Sequence, residues 1–390
     1  MAKEKRISNE INPRKRFSIV LTNYNSEDYI EDALKSIYDQ DYNNIELIIT
    51  DDCSKLFPKS KIERIINKKN NIKRLKFIIN SENIGTVKTL SKALDEVTGE
   101  YVLFFASDDV LASNDLLKKY VNIFDENNSI NVLTSNSVNC DEDLNIIDNN
   151  KKRKKLKKIN KMSVKNIYSS LCITNFLGAG STCFRTKVLK KYGLNKEYKY
   201  LEDWPLWLNL TRNNERILYV GFDGLLHRIG GISSNNEVSE VKKEFFRELL
   251  YLYRVFILNN MDDLKINAKF KIINSYAYSI SSYSAYIDVE NDKEAIINYF
   301  NKNKIDKVYF YIDKVIPKFI KKMIILFKYN IAVPITFIIS LILSFIIINY
   351  FNINNNIYIL LILLSSYFLI YYFTSTCLTF YYSKKVKKDE

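Results

Sequence analysis

Three of the acidic pairs in this 390-residue chain stand where they could do chemistry: Asp51-Asp52, Asp108-Asp109 and Glu202-Asp203. Two of them end apolar runs. Ile45–Thr50 leads into Asp51-Asp52, and Tyr101-Val-Leu-Phe-Phe-Ala106 leads into Ser107-Asp108-Asp109. Such a run reads as a buried strand, so each pair is delivered at a strand's carboxyl end. Carboxylates placed there suit a hard divalent cation such as Mg²⁺ or Mn²⁺, which takes oxygen ligands and keeps water or substrate phosphate in its other positions. Ser-Asp-Asp is equally good turn and cap chemistry, so the triplet alone leaves both readings open. The third pair precedes Trp204-Pro205, a pattern for a helix start with acids in its first turn. His227 is the only histidine.

The elements that must position these groups alternate through the first half. Phe17–Leu21, Ile45–Thr50, Leu75–Ile79 and Tyr101–Ala106 read as strands. Asp28–Tyr38, Lys61–Asn67 and Thr86–Val97 read as helices between them, the last closed by Gly99. The alternation predicts an α/β domain, and in open α/β sheets ligands bind beyond the carboxyl ends of the strands. After residue 150 the alternation stops. Lys151–Lys161 holds eight Lys or Arg in eleven positions and reads as a solvated loop, available to anionic headgroups or a diphosphate-linked lipid. From about Val238 to Phe310 the pattern is helical, with Phe245, Leu249, Leu252 and Phe256 among its apolar positions.

Composition narrows the class. The net charge of +14 invites nucleic acid, yet no zinc-finger spacing or helix-turn-helix accompanies it, so an anionic membrane surface or a phosphorylated substrate is the better expectation. The five cysteines (53, 140, 172, 183 and 377) lack Cys-x-x-Cys spacing, which fits a reducing compartment rather than a disulfide framework. Met1–Arg16 is charged and has no apolar core, unlike a signal peptide. Between Tyr329 and Ser383 no charged residue occurs. Two apolar runs there, about 331–350 and 357–380, are each long enough to cross a bilayer. Lysines flank the pair on both sides and none lies between, which predicts a hairpin with both chain ends in the cytoplasm.

Five blocks, taken in order, resemble the family 2 glycosyltransferases of GT-A fold. They are Ser18-Ile-Val-Leu-Thr-Asn-Tyr-Asn25, Ile48-Ile-Thr-Asp-Asp-Cys-Ser54, Asn83-Ile-Gly-Thr-Val-Lys-Thr89 leading into Gly99-Glu-Tyr101, Ser107-Asp-Asp109, and Leu201-Glu-Asp-Trp-Pro-Leu-Trp207. The resemblance spans roughly residues 17–235. It implies a Rossmann-like mixed sheet and sugar transfer from a nucleotide-diphosphate donor. Asp109, with Asp108, would bind Mn²⁺ or Mg²⁺. Thr22, Tyr24, Asp51 and Asp52 would hold the nucleotide. Lys88 would supply a cation near the diphosphate, in place of an Arg that many members carry two positions later. Asp203 would be the general base of an inverting transfer, with Glu202 positioning the acceptor. His227 stands where some GT-A enzymes place a further metal ligand, and Gly230-Gly231 reads as a tight turn beside the donor.

The expected layout is a basic tail (1–16), a GT-A domain (17–235), a helical region (236–328), two membrane helices (329–383) and a basic cytoplasmic tail (384–390). The expected acceptor is a lipid-linked or growing cell-surface glycan at the cytoplasmic membrane face, with no nucleic acid partner. Two other readings stay open: a polyprenyl-phosphate sugar transferase, although Ser107-Asp-Asp-Val-Leu111 departs from that group's Asp-x-Asp-Leu-Gln, and a catalytically silent GT-A scaffold.

Overall fold

The computed structural model describes residues 15–303, except 68, 148–149 and 230–237. The chain partitions into two units after Tyr299, and every strand among the described residues lies in the first. The first half folds as its apolar runs dictate. Strand β1 (Phe17–Asn23), helix α1 (Ile30–Tyr38), β2 (Ile45–Asp51), α2 (Lys59–Ile66), β3 (Ile72–Ile79), α3 (Thr86–Glu96) and β4 (Tyr101–Ala106) follow in alternation. β1 pairs in parallel with both β2 and β4, and β2 with β3. β2 is buried throughout and β1 nearly so, as expected of parallel strands covered on both faces.

A carboxylate sits within this core. Glu46, fully buried in β2, accepts from Ser18 Oγ at 2.5 Å and from the N–H and Oγ1 of Thr98 at 2.8 and 2.7 Å, and pairs with Arg74. Burial alone would raise its pKa; these donors outweigh that and hold it at about 2.

Beyond β4 come β5 (Val110–Leu111), α4 (Leu116–Glu126), β6 (Val132–Cys140), α5 (Asn150–Ile159), α6 (Val164–Ile173), β7 (Thr182–Arg185), α7 (Thr186–Tyr192), α8 (Asp203–Arg212) and β8 (Ile217–Arg228). The sheet runs β3-β2-β1-β4-β7-β6-β8-β5, with β7 antiparallel to both its neighbours, β6 and β8 parallel, and β5 antiparallel to β8. The sheet therefore continues through a stretch where the sequence pattern offers no alternation.

The basic run is a correction. It is not a loop but helix α5, because Leu156 and Ile159 are buried beneath it and Asn160 pairs with the N–H and C=O of Tyr219 on β8. Lys155 lies 4.2 Å from the Phe176 ring centroid, and its pKa is lowered by burial.

After β8 come α9 (Glu240–Tyr251), a π-helical turn (Leu252–Ile257), a short 3₁₀ turn (Leu258–Asn260), α10 (Ile266–Tyr283) and α11 (Glu290–Lys302). The face they bury is Phe246, Leu250, Tyr253 and Ile257, together with Leu252. Phe245, Leu249 and Phe256, read from the sequence as apolar positions, are only partly covered. No helix among the described residues is long and apolar enough to cross a membrane. The expected spans at 331–350 and 357–380, and the topology read from them, lie outside the described residues.

Candidate active site

Register brings the strand ends level. Thr22 lies opposite Thr50 on one side and Ala106 on the other, and Asn23 lies opposite Asp51. Asn23 then ties three strand ends together: its Nδ2 donates to Asp51 Oδ1 at 2.7 Å, and its Oδ1 accepts from Ser107 Oγ at 2.7 Å. Asp51 also accepts from the N–H of Ser54 at 2.9 Å and from its Oγ, closing a tight turn. Asp52 is turned inward. Its Oδ1 accepts from Asn80 Nδ2, Ile84 N–H and Thr89 Oγ1, and its Oδ2 from Gly85 N–H at 2.8 Å. It thereby fastens the loop that leads into α3. Thr22 Oγ1 donates to Phe105 O, whereas Tyr24 is 46% exposed and Lys88 stands exposed on the first turn of α3.

The Ser107-Asp108-Asp109 turn meets β8 through β5. Because Val110 pairs antiparallel with Leu226, Asp109 comes to lie beside His227, 118 residues away in sequence. His227 Nδ1 is 3.0 and 3.2 Å from the two oxygens of Asp109, and Arg228 N–H donates to Asp109 Oδ1 at 3.1 Å. The Arg228 side chain clamps the same turn. It is 4% exposed, donates from Nη1 to Asp108 O and from Nη2 to Asp32 Oδ2, both at 2.6 Å, and from Nε to Glu142 O at 3.1 Å. Its guanidinium lies 4.8 Å from the Tyr29 ring centroid. Asp108 is raised above the ordinary carboxylate range by burial and by the charge of Asp109.

No three His, Cys, Asp or Glu side chains converge on one point among the described residues. The donor set is a carboxylate and an imidazole in contact, with a second carboxylate crowded beside them. It fits a divalent cation whose remaining positions go to water and substrate phosphate, since such an ion would relieve the Asp108–Asp109 repulsion.

The third pair opens α8. Asp203 accepts from Asn175 Nδ2 at 2.7 Å and from Trp204 N–H at 2.5 Å. Burial raises both acids; those two donors restrain Asp203, and the charge of Asp203 adds to burial in raising Glu202. Asn175 lies at one end of the loop that joins α6 to β7. Gly180, near the loop's other end, presses on the strand ends: a Cβ there would come within 2.7 Å of Leu225 Cδ2 and 3.1 Å of Phe105 Cβ. A single loop thus runs from the acid pair to the strands that carry Asp109 and His227. The Gly230-Gly231 turn lies outside the described residues.

Sequence reasoning missed Asn23, Asn175 and the Arg228 clamp. Arg228 has a visible cue in its place next to the only histidine; Asn23 and Asn175, two among many asparagines, have none.

A family model described as Glycosyl transferase family 2 matches residues 18–193, from β1 through α7. The chain is 26% identical over 329 residues to an uncharacterized glycosyltransferase of Haemophilus influenzae, covering 80% of this chain and 98% of that protein. It is 25% identical over 280 residues to the GalNAc(5)-diNAcBac-PP-undecaprenol beta-1,3-glucosyltransferase of Campylobacter jejuni, covering 69% and 82%. The structure of S. aureus TarS 1–349 in complex with UDP superposes with a TM-score of 0.52 at 21% identity, over 73% of this chain and 80% of that one. At that identity the likeness speaks to the fold, a mixed α/β sheet of GT-A type. The chain is a glycosyltransferase that carries a family 2 domain.

Proposed function

We propose that this enzyme transfers a sugar from a nucleoside-diphosphate donor to a hydroxyl of a lipid-linked glycan, with inversion, and that Asp203 is the general base. The observation that carries the reading is the pair of donors that grip Asp203: Asn175 Nδ2 and the Trp204 N–H both favour its charged form and counter the burial that raises its pKa. A carboxylate held by two such donors in a half-buried site is equipped to accept the acceptor's proton. The acceptor oxygen then bonds to the anomeric carbon as the bond to the diphosphate breaks. The proton rests on Asp203, and the electron pair leaves with the nucleoside diphosphate. Glu202, as a neutral acid, can donate a hydrogen bond that orients the acceptor.

Thr22, Tyr24, Asp51 and Asp52 sit on the strand ends expected to receive the nucleotide, where the exposed Tyr24 ring offers a stacking face. Lys88 adds positive charge on the first turn of α3, suited to a diphosphate. Asp109, Asp108 and His227 would hold a divalent cation, which when bound offsets the charge gathering on the departing diphosphate. The lipid-linked acceptor is supported by the Campylobacter relative, whose name carries an undecaprenol diphosphate acceptor. It is supported too by the uncharged runs at 331–350 and 357–380, which fit a membrane hairpin with the transferase domain at the cytoplasmic face.

A panel of nucleotide sugars scored by thermal shift with Mn²⁺ tests the reading, because a true donor stabilises the folded chain by mass action. The hit is then assayed for transfer with and without metal. Full transfer by Asp203→Asn would overturn the base, and full transfer by Asp109→Asn would overturn the cation site.

A further inference from the structure

We infer that Glu248 is a positioning residue for the acid pair, a role that rests on Asp203 acting as the base. Glu248 lies on α9, outside the stretch matched by the family model, and is 7% exposed. Its carboxylate gathers three consecutive backbone amides. Oε1 accepts the N–H of Lys199; Oε2 accepts those of Tyr200 at 3.0 Å and Leu201 at 2.9 Å. Leu201 immediately precedes Glu202. A loop of this kind would ordinarily direct its amides to water, leaving the backbone ahead of α8 free to vary. Charge-assisted hydrogen bonds to one buried acceptor fix its course instead.

The same helix holds the other flank. Just beyond Glu248, in the π-helical turn, the Tyr253 hydroxyl donates to Ile173 O at 3.0 Å, two residues before the Asn175 that grips Asp203. The Tyr253 ring stands edge-on to Trp204, the residue after Asp203, with centroids 5.5 Å apart. Asp203 is therefore approached from both sides by groups anchored on one helical stretch, and π turns recur at functional sites.

Lys199 extends the link toward the donor side. Its carbonyl accepts from Val87 N–H at 3.1 Å at the start of α3, and Gly85 packs so closely that a Cβ there would lie 2.6 Å from the same carbonyl oxygen. Gly85 is itself held by Asp52. Glu248 thus ties the acid pair to the framework of the strand ends.

Glu248→Gln would keep one acceptor oxygen but turn an NH₂ toward amides that are themselves donors. The test uses the full-length protein in detergent, with the nucleotide sugar found by the panel above. Glu248→Gln is expected to lower kcat on the order of 100-fold, the scale of a misplaced catalytic group, while donor KM stays within about twofold. Glu248→Asp should restore part of the loss. In the Asp203→Asn background Glu248→Gln should cost little more, because both act on one step. Hydrogen exchange at the amides of 199–201 should accelerate in Glu248→Gln whatever the donor. Unchanged exchange, unchanged kcat, or a matched loss of donor binding and fold stability would overturn the inference. Full transfer by Asp203→Asn alone would sink the base assignment while the exchange data still decide whether Glu248 holds the loop.

Discussion

Asn175 and Asp203 meet at 2.7 Å, side-chain amide to carboxylate, across 28 residues of chain. The amide can only stabilise the ionised acid, so its removal has a predictable sign. In Asn175→Ala the pKa of Asp203, already raised by burial, should climb further. The acid limb of the kcat/KM profile should then move up by about one pH unit. A profile that only falls in height, without shifting along the pH axis, would contradict the assignment of Asp203 as base.

Glu202 bears on stability rather than on the proton transfer itself. Its pKa is raised from 4.5 by burial and then by Asp203. A folded state that holds a proton more tightly than the unfolded chain loses stability as pH climbs from the ordinary carboxylate range through the raised folded value. Glu202→Gln should therefore match the parent's thermal midpoint near pH 4 and exceed it near pH 8. Midpoints measured across that range would show a gap that opens with pH; a constant gap would refute the burial argument.

Glu46 has the opposite sign. Its folded pKa of about 2 lies below the ordinary 4.5, so its contribution is present above that ordinary value and lost as pH falls toward 2. The shift corresponds to about 3 kcal/mol. Glu46→Gln should cost about that much in urea unfolding at neutral pH, and far less near pH 2. Equal costs at both pH values would show that the side chain acts through shape alone.

Cys53 occupies the turn after Asp52 with φ +67°, a left-handed conformation that glycine adopts freely. Cys53→Gly should relieve this strain and stabilise the fold by about 1 kcal/mol, read as a higher denaturation midpoint. A lower midpoint would mean that the contact of Sγ with Ser81 O matters more than the backbone.

β1, β2 and β4 were legible because each is a largely apolar, buried run, and the carboxylates that end β2 and β4 followed directly; β3 was read only from Leu75, because Lys73 and Arg74 break its start and its residues are only partly covered. β8 was not, because Gly221, Asp223 and Gly224 break its pattern and its pairing with β6 slips at Asn136. β7 is only four residues long. Charge density hid α5, whose two buried apolar residues sit among seven Lys or Arg. In α9 and the turn after it, Phe245-Phe246, Leu249-Leu250 and Phe256-Ile257 are apolar doublets, so two adjacent helix faces look alike until packing chooses one. The pairing of Asp109 with His227 depends on a register 118 residues apart, which no local window contains.

The place of β8 in the sheet sets a timetable for the working enzyme. During synthesis Asp109 emerges more than a hundred residues ahead of His227 and Arg228, and β5 gains its strand neighbour among the described residues when β8 arrives. Closing so long a loop is a slow, late step. Until β8 slots between β6 and β5, the nascent chain holds the level ends of β1, β2 and β4 but not the clamp on the Asp108-Asp109 turn, so that turn is completed by the insertion of a single strand.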